Sequence, residues 1–210
     1  MKIDFVSDVA CPWCAVGLNS LELALAKIGP DIPVDLHFHP FELNPQMGPE
    51  GEDAAEHLSR KYGLTAEQLD RNRAGIRERG AAVGFQFGDR SRVWNTFDAH
   101  RLIHWAGLEG KQREMKHALL KAYHGRNDNP GALEVLLRAA GEVGLDVERA
   151  REVIESGRYA DEVRAEERRW QELGIHSVPS VIVNDRHLIQ GGQPPEVFEQ
   201  ALRQLAQAAG

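Results

Sequence analysis

Hydrophobic and polar positions change period several times along the chain, and the changes divide it into elements. Ile3, Phe5 and Val6 form a short β-rich run that breaks at Ser7-Asp8. Behind the break Leu18, Leu21, Leu25 and Ile28 recur on one face at helical spacing. Gly29-Pro30 stops that helix. Val34, Leu36 and Phe38 then alternate with His37 and His39, which predicts a second strand. A helix joining two strands makes a right-handed parallel crossover the expected connection. Pro40 to Gly51 is rich in breakers and reads as a loop.

From about Asp53 to about Leu173 the pattern predicts helices and no strand. They are expected over 54–62, from the Thr65–Gln68 capping box to about Arg79, and over 95–105, 112–123, 133–143, 146–155 and 159–173. The breakers between 112–123 and 133–143 are Gly125 and the polar run Asn127–Pro130. Strand character returns at Ser180–Val183. Asn184-Asp185-Arg186 is turn chemistry and His187–Ile189 pairs back as a hairpin, before Pro195 opens a last helix. The order is βαβ, a helical block, then ββα. This predicts an α/β, thioredoxin-like fold with a large all-helical insertion: residues 1–52 and 174–210 in one discontinuous domain, 53–173 in the other.

Chemistry concentrates where the first strand hands over to the first helix. Cys11-Pro12-Trp13-Cys14 holds the only two cysteines in 210 residues. The first turn of a helix has unpaired backbone N–H groups and a positive dipole end, which stabilise a thiolate and pull a thiol down from its usual pKa of about 8.5. Pro12 suits the first helical position, where its missing N–H is no loss. Cys14, one turn on, is placed to resolve a mixed disulfide at Cys11. Trp13 adds no charge between them, so a milder oxidant than the strongest of this class is expected. A zinc site needs more ligands than this pair, and a structural disulfide closing so short a loop constrains the unfolded chain little.

Composition narrows the partners. The chain is 42% hydrophobic with a net charge of −7, which argues against nucleic acid and anionic membranes as partners. No apolar run approaches the length of a membrane span. No signal-peptide pattern precedes the first strand, so a cytoplasmic dithiol is the expectation. His37 with His39, and His100 with His104, have chelating spacing, but nothing joins the two pairs and no metal site is expected. Arg71–Arg79 reads as a solvated helix face or a steering surface for an acidic partner. Trp13, Trp94 and Phe41 are candidates for an apolar cleft, with core packing the default for aromatics.

CPWC after the first strand, SVPSVIVND, the closing LIQGGQPPEVFEQAL and the middle WNTFDAHRLIHWA together resemble the DsbA-like oxidoreductases of the FrnE branch. The resemblance spans nearly the whole chain. It implies a cis-proline at Pro179 facing the Cys-x-x-Cys, with Val178 offering backbone hydrogen bonds to a substrate. It also implies that Asn95, Thr96, His100 and Arg101 lie near a cleft; capping and packing roles are the equal alternative. Pro12, Trp13, Val178, Pro179, Asn95 and His100 are therefore the candidate substrate-binding residues. Ala15, Ser180 and the Gly125–Pro130 segment depart from the pattern of that branch.

The activity expected is thiol–disulfide exchange on a protein or small molecule, with Cys11 as nucleophile, Cys14 resolving and no bound cofactor. Glutathione stays open as a redox co-substrate. Two other readings stand beside it. One is a glutathione-dependent isomerase or transferase, like 2-hydroxychromene-2-carboxylate isomerase or the kappa-class glutathione transferases, in which a serine commonly replaces Cys11. The other is a non-catalytic binding or chaperone module.

Overall fold

In the computed structural model, which describes residues 1–208, β1 (Lys2–Ser7) is buried along almost its whole length. Its neighbours explain why. β2 (Asp35–Pro40) runs parallel on one side, with Phe5 opposite Phe38. β5 (Ser180–Val183) runs antiparallel on the other, with Phe5 opposite Val181, and β6 (His187–Gln190) closes the order β2-β1-β5-β6. α1 (Pro12–Ile28) is the crossover from β1 to β2, and α9 (Pro195–Ala208) follows the hairpin. Leu18 and Leu21 of α1 and Phe198 and Leu202 of α9 pack with Ile3, Phe5 and Val183 in one fully buried cluster. The α/β, thioredoxin-like fold expected from the pattern is the fold observed.

Between β2 and β5 lie α2 (Ala54–Tyr62), α3 (Ala66–Ala82), α4 (Phe97–Leu108), α5 (Gln112–Leu120), α6 (Leu133–Glu142), α7 (Val147–Glu155) and α8 (Ala160–Glu172). Two features correct the helix-only expectation. Glu52–Asp53 (β3) and Arg92–Val93 (β4) pair as a two-stranded ribbon, too short to leave a period in the sequence. The helix expected to run to Tyr123 ends at Leu120 and widens into a π-helical turn over Lys121–Gly125. That turn is held from outside the helix: the Tyr123 hydroxyl donates to the Arg92 carbonyl at 2.9 Å and His124 Nε2 to the Val9 carbonyl at 2.8 Å.

The apolar clusters cross the boundary that chain order suggests. Val9 and Ala10, after β1, pack into the cluster of α4–α7, while Phe85 and Leu120 pack into the cluster of the sheet. The segment carrying the cysteines is thus gripped from both sides.

His39 supplies a polar tie of the same kind. Its ring bonds the buried carboxylate of Asp4 in β1 at 2.7 Å and Glu166 in α8 at 2.5 Å. Burial alone would lower its pKa, but the two carboxylates outweigh it and hold it above the ordinary value. His39 therefore contributes stability that is complete below about pH 6.5, the value in an unfolded chain. That contribution fades as pH rises through the raised folded value. His39→Gln is expected to lose about 2 kcal/mol at pH 6, and less at pH 9, in urea titrations. An equal loss at both pH values would contradict a charged His39.

Candidate active site

Cys11 is the N-cap of α1, with extended backbone angles (φ −89°, ψ 113°), Pro12 in the first turn behind it and no acidic residue in that turn. Its side chain makes no capping bond to the helix. Instead the thiol donates to the Val178 carbonyl at 3.6 Å, across the gap to the loop before β5. The two sulfurs differ in access: Cys11 is 4% exposed and lines a cleft, while Cys14 is wholly buried. Both are free thiols. Burial pushes the Cys14 thiol well above its ordinary pKa, and its hydrogen bond with Cys11 adds to the effect. Only one of the pair is both reachable and placed at the positive end of the helix.

Asp8, three residues before Cys11, is the fixed point of the loop. It is fully buried, and its Oδ1 accepts from the Ala10 amide at 3.1 Å, the Thr96 hydroxyl at 2.8 Å and His100 Nε2 at 3.2 Å. Its Oδ2 accepts from the Leu43 amide at 2.7 Å. Burial alone would raise the Asp8 pKa; His100 and the two amides outweigh it and hold it below the usual carboxylate range. On the next carbonyl, His124 is pushed down to about 3, first by burial and then by Arg90, so it bonds Val9 as a neutral ring. Lys116 is also buried, which lowers its pKa.

The Val178–Pro179 peptide is cis, and Pro179 lies against α1. A side chain on Gly17 would put its Cβ 3.0 Å from Pro179 Cγ and 3.3 Å from Gly192 Cα, so glycine lets the proline loop and the Gly191-Gly192 turn close on the helix. Arg79 of α3 reinforces that closure: it donates to the Gly192 carbonyl at 2.8 Å, and its guanidinium lies 5.7 Å from the centre of the Trp13 ring. Gly17→Ala is expected to cost about 1–3 kcal/mol by overpacking, read as a lower Tm. An unchanged Tm would mean that the proline loop is not held by this contact.

The cleft that Cys11 opens onto encloses about 1100 Å³. Cys11, Pro12, Trp13 and Val178 line it, as four of the candidate residues were expected to do. Asn95 and His100 do not. Asn95 spans the turn before α4, accepting from the Phe97 amide at 2.9 Å and donating to the Met47 carbonyl at 2.9 Å. His100 is drawn inward by the carboxylate of Asp8. Thr96 is spent on the same carboxylate, and buried Arg101 donates to the carbonyls of Val153, Ile154 and Arg158. Nor do Trp94 and Phe41 reach the cleft; Phe41 packs with Trp170. The paired histidines have other partners: His37 bonds Asp35, His39 bridges Asp4 and Glu166, and His104 lies tilted against Tyr159. His39, His100 and His104 border one small cavity, but no group of three potential metal ligands forms among the described residues.

Asp8, His124, Lys116 and Arg90 went unnoticed in the sequence. Lys116 left a trace, since it shares a helical stripe with Met115, Leu119 and Leu120, where a lysine is out of place.

Nearly the whole chain matches a known family. Residues 2–203 match the DSBA-like thioredoxin domain. The chain belongs to the DsbA-like family. The probable DsbA oxidoreductase SCO1869 of Streptomyces coelicolor is 34% identical, with a TM-score of 0.89 over 97% of this chain and 89% of that one. Two more distant structures share the fold. The 2-hydroxychromene-2-carboxylate isomerase is 14% identical (TM-score 0.75, covering 100% of this chain and 98% of that one). The cytosolic disulfide reductase DsbM of Pseudomonas aeruginosa, solved with GSH, is 19% identical (TM-score 0.68, covering 99% of this chain and 100% of that one). In this DsbA-like chain the Cys-x-x-Cys occupies the corner where β1, α1 and the Pro179 loop converge.

Proposed function

We propose that the protein is a thiol–disulfide oxidoreductase in which Cys11 is the nucleophile and Cys14 the resolving thiol. The observation that carries this reading is the asymmetry of the pair: Cys11 caps α1 and borders the cleft, while Cys14 is sealed behind it. The helix N-terminus favours negative charge on Cys11. Its thiolate attacks one sulfur of a substrate disulfide, that S–S bond breaks, and the first substrate thiolate leaves. Cys14 then loses its proton and attacks Cys11 Sγ, releasing the second substrate thiolate and leaving the Cys11–Cys14 disulfide. Two electrons pass to the substrate, which takes up two protons in all. Read backwards, the same steps oxidise a substrate dithiol. Burial keeps Cys14 protonated, and so silent, until Cys11 is engaged. Pro179 and the Val178 carbonyl hold the substrate beside Cys11 in this reading. The family supports an oxidoreductase or isomerase; direction depends on the reduction potential against the surrounding thiol pool.

Membership of the FrnE branch and a cytoplasmic location are part of the same proposal, and among the described residues no helix is long and apolar enough to cross a membrane. Glutathione as redox co-substrate is the second reading. The presence of GSH in the DsbM structure favours it, as does the space beside Cys11.

The test is the equilibrium of the pair in graded glutathione buffers, trapped by alkylation and read by mass. A two-electron transition to an intramolecular disulfide is expected. A stable glutathione adduct on Cys11 alone would move the assignment to glutathione-dependent isomerase or transferase chemistry.

A further inference from the structure

The cleft beside Cys11 is larger and more specialised than disulfide exchange alone requires. At about 1100 Å³ it lies slightly above the usual range of small-molecule sites, about 300–1,000 Å³. Leu58 of α2, Leu69 and Ile76 of α3, and Phe87 give it apolar walls. Cys11, 4% exposed, borders the cleft, so a molecule small enough to enter it reaches the sulfur.

Its charge is opposite to that of the chain. Five cationic side chains line it against the carboxylates of Asp53 and Asp89, in a protein of net charge −7. Most of that charge is already matched. Asp53 caps α2, Asp89 pairs with Arg77, and the other two arginines pair with carboxylates along α3. Lys61 and Arg90 remain, and among the described residues neither forms an ion pair. Lys61 Nζ donates to the Leu43 carbonyl and Asn44 Oδ1, both at 2.7 Å. Arg90 is half-buried, donates to the carbonyl of Ala10, the residue before Cys11, at 3.1 Å, and lies 5.9 Å from the centre of the Tyr123 ring. A half-buried guanidinium with a carbonyl and an aromatic ring for partners, and no carboxylate, is a site that an incoming anion completes.

We propose that this cleft takes a small thiol or disulfide that carries an apolar body and a carboxylate, the carboxylate on Arg90 and Lys61 and the body against α2 and α3. The assignment rests on the oxidoreductase reading of Cys11 and Cys14, and the chemistry is the exchange written above. It names the substrate as a compact, amphipathic acid rather than a polar peptide.

The test uses the reduced full chain and three disulfides in single-turnover kinetics, each rate divided by that of a free thiol, N-acetylcysteine. They are 5,5′-dithiobis(2-nitrobenzoate), aromatic and anionic; 4,4′-dithiodipyridine, aromatic and neutral; and oxidised glutathione, anionic and polar. The first is expected to be favoured over each of the others by about tenfold or more. Arg90→Gln and Lys61→Gln should each lower the anionic-over-neutral ratio about tenfold, and Ile76→Asn the aromatic-over-glutathione ratio. Because each readout is a ratio within one variant, a general loss of folding or reactivity leaves it unmoved. Three rates that simply track the free thiol, or oxidised glutathione as the preferred substrate, would overturn the pocket assignment. Failure of all three disulfides to oxidise the Cys11–Cys14 pair would instead sink the oxidoreductase reading beneath it.

Discussion

Cys11→Ser is expected to abolish disulfide exchange, a loss on the order of 10⁴-fold or more, because among the described residues no other sulfur borders the cleft. Stability should hardly change: the cysteine makes no capping bond to α1, and serine is itself a good N-cap. Cys14→Ala gives the complementary result. The first attack still occurs, but nothing displaces the substrate from Cys11, so a mixed disulfide accumulates and appears by mass as one adduct per chain. Turnover with a chromogenic disulfide, alongside thermal melts, reads both variants. Substantial exchange surviving in Cys11→Ser would remove that residue from the chemistry and revive the binding-module alternative.

The second large effect belongs to Asp8, a residue that never touches substrate in the proposed mechanism. Asp8→Ala removes the acceptor of two backbone amides, a hydroxyl and His100 together, all away from water. The expected loss is about 3–5 kcal/mol, and exchange should slow as well, because the Ala10 amide holds the approach to Cys11. Asp8→Asn should be milder, since its carbonyl still accepts while its amide faces the Leu43 N–H as a second donor. Urea midpoints decide the first part; a loss below about 1 kcal/mol for Asp8→Ala would show that the network is dispensable. The pH dependence has a definite sign. The folded pKa of Asp8 is depressed, so its contribution is complete above the unfolded value of about 3.9 and is lost as pH falls through the folded one. Wild type should therefore lose more stability on acidification than Asp8→Ala does.

Asp8 also shows where sequence reading stops. Beside Ser7 it looks like an ordinary strand-ending polar residue, and in the chain it is 88 residues from Thr96 and 92 from His100, which it binds. Burial of a carboxylate leaves no local period and no composition signal; it follows from which elements fold over it. The same holds for Arg90, whose meaning depends on its forming no ion pair among the described residues. For Asn95 and His100 the sequence leaves a cleft position and a capping or packing role equally open, and the contacts observed are of the second kind. The alternation of polar and apolar residues does not say which buried partner claims a histidine.

What the sequence determined by itself is what short-range physics controls. Strand alternation, helical stripes and capping signals laid out βαβ, helices, ββα, and the Cys-x-x-Cys fell at a strand-to-helix junction whose chemistry depends on neighbouring backbone. Tertiary structure alone decided which of the two sulfurs is sealed, that the Val178 carbonyl meets Cys11 across 167 residues of chain, and that α2 and α3 wall a cleft where Lys61 and Arg90 form no ion pair among the described residues. The physical reason is one of range. Backbone hydrogen bonds and side-chain periodicity are set within a few residues, whereas burial, ion pairing and the shape of a cavity are properties of packing between segments far apart in the chain.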